Sequence, residues 1–223
     1  RGFNSDDIVT VYNGIDMDKN LEYTHKEEFS RKYNIQPEGK TFVGIIARLD
    51  KVKDHETFLK AARDVSTKNS SVEFILAGEG NDEKRLKSLA SEYGIKDKVH
   101  FIGFLKDQYS FYNAIDINVL TSVSESFPYA VLEGALMEKP IITTNVGGLS
   151  KLVENDVNDY LINVGDSASL ADRILKLVEN PELMRTFGKN LYDKVKNNYS
   201  SESLARVHEE IYNQILENHG GKQ

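Results

Sequence analysis

The chain alternates short apolar runs with segments of helical period, and few folds tolerate that alternation. Strands are expected at 8–12, 41–47, 72–77, 98–102, 116–120, 140–143 and 160–163. Several are apolar throughout, the mark of parallel strands covered on both faces. Between them, Leu86, Leu89, Ala90 and Tyr93 repeat at helical spacing, as do Phe58, Leu59, Ala62 and Val65. Gly94 and the Asn180-Pro181 pair read as helix boundaries. From about Ser167 to Glu217 the pattern reads as three helices with no strand between them. Strand–helix alternation of this kind predicts an α/β fold, a doubly wound Rossmann-like parallel sheet with helices on both faces and a helical C-terminal end. A single domain over 1–217 is expected, with 218–223 as a flexible tail. Ligands of such sheets bind on the loops beyond the carboxyl ends of the strands, so the chemistry belongs there.

Composition narrows the function classes. The 223 residues contain no cysteine, which excludes disulfides and thiolate metal sites and fits a reducing compartment. A net charge of −7 argues against a general nucleic-acid binder, so no nucleic-acid partner is expected. No apolar run approaches the length of a membrane span. The chain opens Arg1-Gly2-Phe3, with neither an initiator Met nor a signal peptide, and is read as part of something longer.

Several tempting signals fail on context. Gly39-Lys40-Thr41 precedes a strand, where a phosphate-binding loop should follow one. Gly78-Glu79-Gly80 follows a strand, but Glu83 stands where a dinucleotide fingerprint needs its third glycine; a tight turn is expected. Asp16-Met17-Asp18 has the form of a metal-binding Asp-x-Asp, yet it follows the turn signal Asn13-Gly14 and reads as a solvated turn. His25, His55, His100, His208 and His219 show no paired ligand spacing, so no metal site is expected. The absence of Gly-x-Ser-x-Gly leaves an α/β-hydrolase unsupported.

The informative stretch is Ser124-Glu125-Ser126-Phe127-Pro128-Tyr129-Ala130-Val131-Leu132-Glu133. Pro128 suits the first position of a helix, placing Glu125 just before it and Glu133 about two turns inside. That spacing spans on the order of 10 Å at 1.5 Å per residue. Such a span suits two carboxylates accepting hydroxyl hydrogen bonds at either end of an extended ligand. The helix N-terminus between them offers free N–H groups and a positive dipole end for a phosphate. Spacing alone leaves a plainer reading open, in which Glu125 caps the helix and Glu133 lies on the surface.

These residues, with Glu133-Gly134-Ala135, Lys139-Pro140-Ile141-Ile142-Thr143 and Val146-Gly147-Gly148, resemble the retaining glycosyltransferase family 4 (glycosyl transferases group 1) of the GT-B fold. Tyr12-Asn13-Gly14-Ile15-Asp16 is similar to the segment that opens that family's C-terminal, donor-binding lobe. Ala47-Arg48-Leu49 with Lys53 resembles its phosphate loop, and Ala77-Gly78-Glu79-Gly80 and Phe101-Ile102-Gly103-Phe104 its next two strand ends.

The resemblance implies a donor-binding lobe that transfers a hexose from a nucleoside-diphosphate sugar with retention, in polysaccharide or glycolipid synthesis, and without a metal or other cofactor. Arg48 and Lys53 would grip the diphosphate, and Glu125 the hexose; these three form the expected catalytic set. Backbone amides around Ser126, Phe127, Tyr129 and Ala130 would reach sugar and phosphate. Glu133 would hold the ribose, and Phe104 and Leu105 would meet the base. The saccharide or lipid-linked acceptor would bind mainly an N-terminal lobe absent from this chain, leaving the isolated chain inactive. A cytoplasmic location is implied, with peripheral membrane association of the full-length enzyme open. A non-catalytic nucleotide- or sugar-phosphate-binding module, or another GT-B enzyme such as a nucleotide-sugar epimerase, is the alternative. Three positions depart from the family pattern: Ala47, Asp54 and Ser126 each replace a common glycine. Asp54 brings a negative charge near the expected diphosphate, unless it caps the following helix.

Overall fold

The computed structural model describes residues 8–220, with side chains as far as Glu217. Among them six parallel strands form one sheet in the order β3-β2-β1-β4-β5-β6. They are β1 Thr41–Ile46, β2 Val72–Ala77, β3 Val99–Gly103, β4 Ile117–Leu120, β5 Ile141–Thr144 and β6 Tyr160–Ile162. The crossovers carry α2 His55–Lys68, α3 Glu83–Glu92, α4 Gln108–Ala114, α5 Tyr129–Leu136 and α6 Leu149–Leu152. Helix α1, Lys26–Lys32, precedes the sheet; α7 Ser167–Val178, α8 Pro181–Asn198 and α9 Ser201–Gly220 follow it. Sequence periodicity had singled out neither α1 nor α4, each seven residues long.

Alternation within the strands is real but hidden, because both faces are covered. Val43 and Ile45 of β1 point with Phe74 and Leu76 into a core shared with α2, α3 and α7. Phe42 and Ile75 point the other way, against Phe29 of α1 and Phe111 and Tyr112 of α4. On that same second face, Leu120 and Ile141 meet α5, α6 and Leu191 and Val195 of α8. Two buried faces turn a period of two into a continuous apolar run.

The helix boundaries have local causes. Gly94 takes φ +71 after α3, and Ile95 N donates to Ala90 O, closing the last turn. The Asn180 side chain caps α8 at Leu183 N, with Pro181 just inside.

One expected strand is absent. Residues 8–14 pair with no strand, and Ile15 makes only an isolated parallel bridge to Ser200. Ile8 and Val9 are exposed, while Tyr12 packs on Phe127 and Tyr199. Apolar, β-branched composition reports fit to a packed surface rather than pairing as such. Three other strands, β3, β4 and β5, begin one residue late, the last because Pro140 has no N–H to give a ladder. Lys96–Lys98 form a 3₁₀ turn ahead of β3, and the Asp116 carboxylate accepts from Phe42 N and Lys26 Nζ, ahead of β4. Of the tail expected over 218–223, α9 takes in the backbone to Gly220, and 221–223 lie outside the described residues.

Strands β1 and β4 are neighbours although two strands separate them in sequence, and the chain winds away from them in opposite directions. Their exit loops diverge, opening a crevice at the carboxyl ends of the strands.

Candidate functional site

The β1 side of the crevice is built by carboxylates that close their own turns. Asp50 accepts from Val52 N and Lys53 N, capping the 3₁₀ turn Lys51–Lys53. Asp54 sits at φ 45°, ψ 50°, in the left-handed region. Its carboxylate accepts from Thr57 N at 3.3 Å and from Thr57 Oγ1 at 2.6 Å, capping α2. The negative charge that replaces a family glycine is therefore committed to a helix end, and the backbone keeps the conformation a glycine would favour. His55 is buried, with Nε2 2.9 Å from Arg48 O. Burial lowers its pKa, so the ring is neutral and donates from Nε2, fixing the carbonyl of Arg48.

From this loop Lys53 reaches across the crevice. Its Nζ lies 2.6 Å from Glu125 Oε1, and both side chains are largely buried. Ser122 Oγ donates to the same oxygen at 2.6 Å, leaving Glu125 Oε2 with no donor among the described residues. Thr121 Oγ1 donates to Lys53 O and Val123 N to Val52 O, so the two exit loops are stitched together. Arg48 is more open: 77% exposed, it pairs with Asp50 Oδ2 at 3.1 Å. The two expected diphosphate cations thus differ, Lys53 anchored at Glu125 and Arg48 exposed beside Asp50.

The β4 side presents backbone. Pro128 occupies the N-cap of α5 without a side-chain cap; Val131 N turns back to Pro128 O at 3.2 Å, and the amides of Tyr129 and Ala130 stay open. The Phe127 side chain is not available to a ligand: its ring is buried 4.9 Å from the rings of both Tyr12 and Tyr199, and its carbonyl accepts from Asn13 Nδ2. Tyr129 is exposed, and Ala130 O is taken by Tyr112 OH and Asn118 Nδ2. Ser126 is exposed and its carbonyl accepts from Gly148 N at 2.8 Å. Gly147, at φ +55, lets the β5 exit pass so close that a Cβ there would stand 1.9 Å from Glu125 O. That contact explains Gly147 of the sequence motif, and Gly148 is held small by the Phe127 ring, 2.9 Å from where its Cβ would stand.

Glu133 is the fifth residue of α5, little more than one turn inside it, because the helix begins after Pro128 rather than at it. Its carboxylate is half-buried; burial raises its pKa, opposed by hydrogen bonds from Gln108 and Tyr112 and by Lys19. Phe104 is exposed and Leu105 half-buried, on the β3 exit. Concavities flank that exit, one of about 690 Å³ lined by Phe29, Tyr33, Phe104 and Leu105, the other of about 790 Å³ lined by Lys19, Tyr23, Gln108 and Tyr109. Neither is lined by Arg48, Lys53, Glu125 or Glu133, which belong to the open crevice.

The discarded motifs have structural work. Gly78 and Gly80 allow the β2 exit to lie against Ala47 and Leu49, since a Cβ at either would meet those carbonyls at 2.0 and 2.2 Å. Asp16 Oδ1 accepts from Asp18 N, a local turn. Gly39-Lys40 leads into β1 rather than out of a strand. Ser122, Gln108, Tyr112 and His55 escaped the sequence reading as site residues. Their partners lie at distant or unremarkable sequence positions, and only the hydroxyl of Ser122, three residues before Glu125, left a signal.

A doubly wound parallel sheet with a cation, carboxylates and open helix amides at its switch point defines a Rossmann-like α/β domain, a class whose ligands bind at that point. The family described as glycosyl transferases group 1 matches residues 26–194, and the chain belongs to it. The chain is 28% identical over 213 residues to N-acetyl-alpha-D-glucosaminyl L-malate synthase of Bacillus anthracis, 94% of this chain and 54% of that protein. The capsular polysaccharide biosynthesis glycosyltransferase CapM of Staphylococcus aureus is also 28% identical, over 214 residues, 94% of this chain and 55% of its own. The chain therefore spans about half the length of the curated relatives it matches. The crystal structure of the C-terminal domain of LpcC, a group 1 family protein of Francisella tularensis, superposes with TM-score 0.75 at 27% identity, covering 84% of this chain and 100% of that one. HepE of Anabaena, solved with UDP-glucose, shares the fold with TM-score 0.85 at 24% identity, over 96% of this chain and 59% of that one. No helix among the described residues is long and apolar enough to cross a membrane.

Proposed function

We propose that the chain is the donor-binding half of a retaining glycosyltransferase that moves a hexose from a nucleoside-diphosphate sugar to a saccharide or lipid-linked acceptor. The observation that carries this reading is Lys53 Nζ, 2.6 Å from Glu125 across the switch point, beside the uncapped start of α5. A sugar diphosphate laid there meets Lys53 and Arg48 with its phosphates, the open amides of Ser126–Ala130 with its phosphate and sugar, and Glu125 Oε2 with a hexose hydroxyl. Glu133 takes the ribose hydroxyls and the Phe104-Leu105 exit takes the base. As the diphosphate leaves, its charge is met by the two cations and the helix-end amides, with no metal required. Retention and the hexose itself come from the family resemblance. The acceptor attacks from a cleft completed by a second lobe, so this chain alone binds donor but transfers no sugar.

Calorimetry on a nucleoside and its diphosphate tests the assignment, with uridine and UDP first because HepE is solved with UDP-glucose. Arg48→Ala or Lys53→Ala should weaken the diphosphate about 10- to 150-fold, the loss of one charge-assisted hydrogen bond, and leave the nucleoside nearly unchanged. Glu133→Gln should weaken both ligands alike. Equal effects of Arg48→Ala and Lys53→Ala on nucleoside and diphosphate would remove the phosphate role from these residues.

A further inference from the structure

Glu133 does not stand alone in the crevice. Gln108 Nε2 donates to its Oε1 at 3.3 Å, and Tyr112 OH approaches its Oε2 at 3.4 Å. Gln108 and Tyr112 are the first and fifth residues of α4, one turn apart and on one face. Each carboxylate oxygen therefore meets its own donor, and both donors come from one short helix. The Tyr112 hydroxyl also donates to Ala130 O at 3.0 Å, so one proton serves two acceptors. Burial, and then the nearby Glu133 carboxylate, hold the Tyr112 pKa well above its ordinary value, so the phenol keeps that proton.

The geometry points to Gln108 and Tyr112 as positioning residues that hold the Glu133 carboxylate spread toward a vicinal diol. This rests on the reading of Glu133 as the ribose acceptor. A glutamate has three side-chain torsions to immobilise on binding, and pinning them beforehand removes that cost from the ligand's affinity. The same donors favour the ionised form against burial: burial pushes the Glu133 pKa up, and the hydrogen bonds from Gln108 and Tyr112, with the charge of Lys19, oppose that rise. Lys19 comes from the segment before α1 and Tyr112 from α4, with Tyr109 acting on Tyr112 in turn. Nothing on α8, which packs against α5 as well, acts on Glu133.

The sign of the pH effect follows. Only the carboxylate accepts two hydroxyls, so nucleoside affinity falls as pH drops through the Glu133 pKa, which lies above that of an ordinary glutamate. Removing the Gln108 donor raises that pKa further, and the fall begins at higher pH.

Calorimetry from pH 5 to 8 with uridine, guanosine and adenosine and their diphosphates, on the parent chain, Gln108→Leu, Tyr112→Phe and Glu133→Gln, tests this. Gln108→Leu should weaken the nucleoside that binds and its diphosphate equally, by about 3- to 10-fold. It should also move the midpoint of the affinity loss to higher pH. Tyr112→Phe should shift both readings in the same direction by less, because Ala130 O shares its proton. In the Glu133→Gln background, Gln108→Leu should change neither affinity nor pH profile. If Glu133→Gln weakens the nucleoside but Gln108→Leu leaves affinity and midpoint where they were, the positioning role is wrong and the ribose role stands. If Glu133→Gln changes nothing, or no nucleotide of the set binds the parent, the ribose reading falls and the positioning role with it.

Discussion

After β1, each turn is closed by a carboxylate of its own: Asp50 caps Lys51–Lys53, and Asp54 caps α2. After β4, α5 starts at Pro128 with no side chain over its first amides, and the loop before it is held by backbone contacts from the β5 exit. One loop has satisfied its donors internally and offers only the ends of Arg48 and Lys53. The other keeps its donors unsatisfied and offers them in place. An anion entering between them would meet an anchored Lys53 and an open Arg48 on one side and fixed dipoles on the other, and no uncommitted carboxylate on the β1 side. A protein that capped both loops would be more stable there and have less to offer a phosphate.

The contrast predicts unequal tolerance to substitution. The largest effect is expected at Gly147, where alanine combines a left-handed φ with a Cβ 1.9 Å from Glu125 O. Denaturant unfolding of Gly147→Ala should show a loss of roughly 2–5 kcal/mol, the sum of overpacking and left-handed strain. A loss under 1 kcal/mol would mean the β4 loop gives way, and its amides are not fixed. Next comes Asp54 on the β1 side. Asp54→Ala should cost about 1 kcal/mol for the lost cap, whereas Asp54→Gly should cost only a few tenths, because glycine relaxes at the same φ. Equal losses in the two variants would show that the cap, and not the backbone conformation, governs that turn.

The smallest change in stability, and the sharpest contrast, is expected at Pro128. Pro128→Ser supplies the missing cap but loosens the unfolded chain, so stability should move by no more than about 0.5 kcal/mol. Nucleoside diphosphate binding should nonetheless weaken about 3- to 10-fold, since the new hydroxyl takes an amide the phosphate would use, while nucleoside binding stays put. Unchanged diphosphate affinity would place the phosphate elsewhere than the start of α5.

What the sequence disclosed, and what it withheld, divides along the same physical line. Six strands could be read because burial on two faces leaves continuous apolar runs, and Gly94 and Asn180-Pro181 marked helix ends through local chemistry. The run at 8–12 misled because an apolar segment can be packed by one ring, Tyr12, without joining a sheet. Helix α1, seven residues long, was too short to give a clear period. Within the site, Glu125 and Lys53 could be named from motifs, but their contact joins residues 72 apart and has no local trace. The carboxylate of Asp54 raised a doubt in the sequence that the fold answers, since a cap three residues from Thr57 is a local event. Phe127 sits in a binding motif, yet its ring faces inward; a motif names the backbone position and not the direction of the side chain. Gln108 and Tyr112 were out of reach, for their partner is on another helix.

The bridge between Ile15 and Ser200 ties the segment ahead of α1 to the start of α9, through hydrogen bonds from Ile15 N to Tyr199 O and from Ser201 N to Ile15 O. The rings of Tyr12 and Tyr199, one from each of the tied segments, both bear on Phe127, two residues past Glu125. The two ends of the fold are thus wedged against the loop that carries Glu125, and a change at either end is felt first by the Phe127 ring.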